Sequence, residues 1–160
     1  MIFRPPSFCR LAVPHIRQTQ PGECLVACAA MICSYLKISH NYKNLVRVLA
    51  IEQGIGTPFP RIRNLEKLKI TVDYHEYGTL QELYNLLCAG WPSIVTVQTA
   101  ELPYWNQVST QHALVVVGMN EQHIFVNDPE FPQAPFQVSL GDFDLAWLAQ
   151  DELYAVLSLP

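Results

Sequence analysis

The sequence predicts an α+β fold: helices fill the first half and a meander of antiparallel strands the second. Three observations carry that expectation. Residues 23–36 form an Ala-rich apolar run in which Ala27, Met31, Ile32 and Tyr35 recur at helical rather than alternating spacing. Residues 93–98, 112–119 and 123–127 are apolar and rich in β-branched side chains, and Asn120-Glu121 separates the last two as a hairpin turn would. The two kinds of segment are segregated, which argues against an alternating parallel sheet. With 160 residues, half of them hydrophobic and 15% charged, the chain can bury a core as one domain spanning 1–160.

Taken in order, residues 1–14 are extended and broken by Pro5-Pro6 and Pro14, so that 1–12 is a lead-in to the domain. A polar loop, His15 to Gln20, precedes Pro21-Gly22. The helix from Glu23 to Leu36 is apolar nearly all round up to Cys33, which predicts a buried central helix, with Glu23 favourably placed near its positive end. Ser39 or Asn41 can cap a second helix over 42–49. Gly54-Ile55-Gly56-Thr57-Pro58 is a breaker, followed by a short helix at 59–68 and an alternating strand at 70–75. Thr79 with Glu82 three residues on reads as a capping box for a helix at 80–88. Gly90-Trp91-Pro92 then leads into the strand at 93–98. Residues 99–111 are a long polar and aromatic loop holding Tyr104 and Trp105. After the hairpin come Asp128-Pro129, a Pro-rich loop, a short strand at 136–139, a helix at 140–149 and a last strand at 153–157.

The chemistry gathers at the junction of loop and central helix, where Cys24 stands. A thiol there faces unsatisfied backbone N–H groups and the positive end of the helix dipole, a setting that favours thiolate. A cysteine nucleophile needs a base and a group to orient that base. His112 begins one hairpin strand and Asp128 ends the next. The midpoint of 112 and 128 is 120, so the two are expected opposite each other across the ladder. A helix start packed there completes a Cys–His–Asp triad: Cys24 attacks, His112 moves the proton, and Asp128 fixes the imidazole tautomer. The oxyanion needs donors. The Cys24 backbone N–H is one, and Gln18 and Gln20 are both candidates for the second.

Gln18, Cys24 with Ala27-Cys28-Ala29-Ala30-Met31 after it, His112-Ala113-Leu114-Val115-Val116-Val117-Gly118 and Asn127-Asp128-Pro129 together resemble the C39 peptidase family of papain-like cysteine proteases. Trp91-Pro92-Ser93-Ile94 is also similar to that family's Pro-containing entry to a central strand. The resemblance spans about residues 13–157. It implies a papain-like fold, with the nucleophile helix packed on an antiparallel sheet. By position it implies Gln18 as oxyanion donor, Cys24 as nucleophile, His112 as base and Asp128 as orienter. It implies a cysteine peptidase acting on a peptide or flexible protein segment through an acyl-thioester, without cofactor or metal. Well-known members process leader peptides after a double glycine and are joined to transmembrane and ATPase domains. An exporter or a small precursor peptide is thus the associated partner the resemblance implies, although neither fusion accompanies the pattern in these 160 residues. The chain departs from the family at Leu25, where Gly is usual, and at Glu23, where Asp is commoner. Leu25, Tyr104 and Trp105 are the expected substrate contacts. Two rival functions use the same residues: acyl or peptidyl transfer, and peptide binding without catalysis.

Composition narrows the partners. A formal charge of −4 without a basic cluster argues against nucleic acid. No apolar run approaches the ~18 residues of a membrane span, and the N-terminus lacks a signal-peptide core. Five cysteines without a small-domain framework read as free thiols, which predicts a cytoplasmic protein. Cys24, Cys28 and Cys33 do not make a metal site, since Cys33 lies about 140° round the helix from Cys28 at ~100° per residue. Cys28 and Cys33 are expected in the core. His40, His75 and His123 are expected in loops or at the surface, and His15 is near enough to Gln18 to reach the same cleft.

Overall fold

Nine consecutive residues of the first helix, Leu25 to Cys33, are buried, and the fold wraps around them. The computed structural model describes residues 2–52 and 56–160, so the Gly54-Ile55 part of the expected breaker lies outside the described residues. Helix α1 spans Cys24–Tyr35, and α2 spans Tyr42–Val48. A 3-10 helix covers Phe59–Leu68. Helices α3 and α4 are Leu80–Cys88 and Leu140–Leu148. Asn41, rather than Ser39, caps α2 by accepting from the Asn44 N–H. Thr79 and Glu82 form the expected reciprocal capping box on α3.

Among the described residues, seven strands form one antiparallel sheet: β1 Cys9–Arg10, β2 Thr71–His75, β3 Ser93–Gln98, β4 Gln111–Met119, β5 His123–Asn127, β6 Phe136–Ser139 and β7 Tyr154–Ser158. Their order is β2-β7-β3-β4-β5-β6, with β1 also paired to β4. The meander β3 to β6 follows the chain. The last strand instead returns to fill the gap between β2 and β3, a long-range pairing that local pattern does not encode.

The sheet is covered on both faces. Ala113, Val115 and Val117 of β4 pack with α1, α2 and the 3-10 helix. Leu114, Val116 and Met119 pack with α3 and α4. This double coverage explains why β3 and β4 read as continuous apolar runs instead of alternating. Val117 and Met119 share a parity yet face opposite clusters. A register shift between Val116 and Gly118 is responsible, since one extra residue turns the strand over. Gly118 also admits β1: a Cβ there would lie 3.2 Å from the Cys9 carbonyl oxygen.

The lead-in is more structured than expected. Beyond β1, Leu11 N–H donates to the Val117 carbonyl and Asn127 Nδ2 to that of Val13. Cys9 is disulfide-bonded to Cys88 at the end of α3, which corrects the expectation of free thiols at these two positions. The partners stand 79 residues apart in sequence and meet because β1 and α3 both pack against β4. Nothing in the spacing of cysteines announces such a pair. Among the described residues, no helix is long and apolar enough to cross a membrane.

Candidate active site

Cys24 opens α1, and the loop before it is held by Glu23. That residue is not in the first helical turn, as expected, but is the N-cap, and its side chain turns back. One carboxylate oxygen accepts from the Thr19 hydroxyl, the Gln20 N–H and the Tyr42 hydroxyl. Gly22 adopts φ +87°, and a Cβ there would lie 3.2 Å from the Gly56 nitrogen. Glycine therefore serves both a left-handed backbone and a close approach. Gln18 is tied by its backbone N–H to the Pro129 carbonyl at 2.9 Å. Its Nε2 donates to the Gln20 carbonyl at 3.3 Å, while its Oε1 is buried without a hydrogen-bond partner.

His112 and Asp128 meet with Nε2 2.7 Å from Oδ1, both side chains buried. They do so by a different route from the one the sequence suggests. The ladder between β4 and β5 runs Met119↔Ile124, Gly118↔Phe125, Val116↔Val126 and Val115↔Asn127 and ends there. Asn120 Oδ1 accepts from both the Gln122 and His123 N–H groups, so the turn takes three residues instead of two. With the bulge, this moves the hairpin centre past 120. His112 is not opposite Asp128 in the ladder but beside Val97 of β3. Asp128 is the first residue past β5, and its side chain spans the remaining gap.

Every acceptor position of Asp128 is used. Oδ1 takes His112 and the Glu130 N–H at 2.9 Å. Oδ2 takes the Tyr104 hydroxyl at 2.7 Å and the Trp105 indole N–H at 3.0 Å. Its carbonyl pairs with His15 Nε2 at 2.9 Å, which places His15 behind the site and not among the residues lining the cleft. The Trp105 ring also stands edge-on to His112, with centroids 4.9 Å apart. The electrostatics follow. Burial alone pushes His112 down, but hydrogen bonds to Asp128 and Cys24, with their charges, raise it to about 10. Burial pushes Asp128 up, and the hydrogen bond and charge of His112, with the Glu130 N–H and Tyr104 hydroxyl, hold it below the usual carboxylate range. The other two free thiols are suppressed. Burial, then the nearby Cys24 and Asp128, pushes Cys28 well up, and burial pushes Cys33 to about 11.

Cys24 and His112 open onto a cleft of about 610 Å³ that Gln18 also borders. Leu25, almost wholly buried, also lines it, as do Phe59 and Leu153. Trp105 and Glu130 line it as well. Tyr104 is not among the lining residues: its ring stacks on Phe136 at 3.9 Å and its hydroxyl is committed to Asp128. Sequence reasoning did not find the Glu23 bracket or the donor pair on Asp128. The available signal was that a buried Tyr or Trp needs a partner for its polar end. Among the described residues, no group of His, Cys, Asp and Glu is arranged to hold a metal.

A buried central helix on an antiparallel sheet, with Cys24 and His112 on one cleft and Asp128 bonded to His112 beneath the surface, is a papain-like fold. Comparison with known proteins makes it specific. The profile of the Peptidase_C39 like family matches residues 10–153, and the chain belongs to that family. Solved structures agree on the fold. A candidate C39-like peptidase from Bacillus anthracis superposes with TM-score 0.78 at 17% identity, covering 96% of this chain and 98% of that one. A double glycine motif protease from an AMS/PCAT transporter, solved with its leader peptide, gives 0.69 at 17% identity over 95% of each chain. The peptidase domain of Streptococcus ComA, a bifunctional ABC transporter involved in quorum sensing, gives 0.71 at 17% identity over 91% of this chain and 98% of that one. No curated protein matches the sequence.

Proposed function

We propose that the protein is a cysteine peptidase that cleaves a peptide or flexible protein segment through Cys24, His112 and Asp128. One observation carries the reading: Cys24 and His112 line one cleft, and Asp128 holds His112 at 2.7 Å. The Cys24 sulfur attacks the scissile carbonyl carbon, and its proton resides on His112. The carbonyl oxygen becomes an oxyanion at the first turn of α1, whose N–H groups lack intrahelical acceptors. Gln18 Nε2 carries two protons, of which the Gln20 carbonyl takes one; the other is the second oxyanion donor. Collapse breaks the C–N bond, and His112 protonates the departing amine. Water then gives a proton to His112 and attacks the thioester, releasing the acid and the thiol.

Leu25 and Trp105 are the assigned substrate contacts. Leu25, next in the chain after Cys24, lines the cleft where a glycine would leave a void, and this disfavours bulky groups at the scissile position. The structures that share the fold include peptidase domains of transporters and one bound to a leader peptide. An exporter or a small precursor is accordingly the partner to seek. The cytoplasmic expectation leaned on free thiols, and the Cys9–Cys88 bond removes that support.

The test is a peptide-library cleavage profile of the wild-type chain beside Cys24→Ala and His112→Ala. Sequence-selective cleavage by the wild type, lost in both variants, is expected. Cleavage that survives Cys24→Ala, or none by a folded wild type across the library, contradicts the reading.

A further inference from the structure

We infer that Tyr104 and Trp105 are positioning residues for the triad, acting through the Oδ2 oxygen of Asp128 to set how tightly Asp128 holds the proton of His112. The inference rests on the peptidase reading above and gives that site two further working residues.

The geometry is built for this. Both donors come from one 3-10 turn, Pro103–Trp105, and converge on a single oxygen at 2.7 and 3.0 Å. The turn is anchored by Leu102, fully buried, and by a donation from Trp105 N–H to the Leu102 carbonyl. The loop beyond it is closed by Thr99, whose hydroxyl donates to the Val108 carbonyl at 2.7 Å and accepts from the Thr110 N–H at 2.9 Å. The Tyr104 ring is clamped by Phe136, and Phe131 packs edge-on against both aromatic rings. A loop ordered only by packing would not need both polar ends on one carboxylate.

Neither donor titrates near neutral pH. The indole N–H is not acidic, and burial beside the Asp128 charge raises Tyr104 far above its ordinary value. The pair therefore acts as a fixed polariser. Other titratable groups around Asp128 are His112 from β4, Cys24 and Cys28 from α1, and His15 from the polar loop before α1, which meets the backbone carbonyl only. A carboxylate that also receives two neutral donors has less of its charge left for imidazolium. Losing a donor destabilises the lone carboxylate more than the carboxylate–imidazolium pair, so His112 would keep its proton to higher pH. A His112 that holds its proton too tightly is a poor acid toward a departing amine, so the donors favour turnover.

The readout is the midpoint for loss of the His112 proton, followed by NMR of ring-15N-labelled histidine in the full chain. Tyr104→Phe keeps the ring and removes one donor. An upward shift of about half a pH unit or more is expected, by loss of a hydrogen bond to a charged group. Trp105→Phe should shift the midpoint the same way, and the double variant further. Unchanged midpoints in Tyr104→Phe, with only a lower unfolding temperature, overturn the inference and leave the turn as packing. The single variant decides the matter if the double does not fold. Iodoacetamide labelling of the wild type separates the two claims. If Cys24 does not react ahead of Cys28 and Cys33, the peptidase reading fails and takes this inference with it. If Cys24 reacts first and no variant moves His112, only the positioning role falls.

Discussion

At the scale of residues, the site is two sets of committed hydrogen bonds, one on Asp128 beside His112 and one on Glu23 beside Cys24. Glu23 gathers two donors from the loop that carries Gln18 and a third from Tyr42 of α2, so Glu23→Ala leaves them without their acceptor. It should cost about 1–3 kcal/mol of unfolding free energy, measurable by urea titration. Glu23→Gln retains an acceptor and should cost less. Gln18→Ala should lower kcat by roughly 10²-fold with little change in KM, the signature of a donor used in the transition state. The residues proposed to carry the chemistry were legible in the sequence because each is of a type that nucleophilic catalysis requires, in a workable order. The supporting residues were not. Glu23 reads as a helix-start acid, and Tyr104 as a loop aromatic, until the fold shows where their polar atoms go.

At the scale of elements, the start of α1 is fixed by backbone conformation as well as by side chains. Gly22→Ala forces a Cβ toward the Gly56 nitrogen at a left-handed φ. It should cost ~1 kcal/mol or more in thermal unfolding and, by moving the α1 start, reduce turnover more than stability alone accounts for. Strand and helix positions followed from periodicity and caps, as in the Thr79 capping box and the run at 93–98. The hairpin register did not. A three-residue turn at Asn120 and a bulge near Gly118 each shift pairing by an amount that no local hydrophobic pattern records. His112 and Asp128 nonetheless meet, because Asp128 leaves the ladder and reaches back from the first position of the following loop.

At the scale of the whole molecule, two long-range features frame the site. The Cys9–Cys88 bond holds the lead-in against the sheet, and the polar loop after it carries His15 and Gln18 to Asp128 and Pro129. Unfolded, non-reduced protein should present Cys24, Cys28 and Cys33 as its alkylatable thiols, and reduction should lower stability by about 2–4 kcal/mol. The His112–Asp128 pair sets a pH window. His112 is raised from 6.5 to about 10, so its contribution is full below 6.5 and is lost as pH rises toward 10. Asp128 is lowered from 3.8, so its contribution is present above that value and disappears as pH falls through its folded-state value. Urea midpoints should therefore form a plateau between these limits, and Asp128→Asn should lower it. Neither β7 between β2 and β3 nor the disulfide could be read from the chain, since each joins segments distant in sequence through surfaces that exist only once folded.

The central claim is that Cys24 is the nucleophile, and mass-mapped alkylation of the native protein with iodoacetamide tests it most directly. The account predicts that Cys24 is modified first, that Cys28 and Cys33 stay protected until unfolding, and that His112→Ala slows labelling of Cys24 near neutral pH. Labelling that begins at Cys28 or Cys33 while Cys24 stays inert would contradict it.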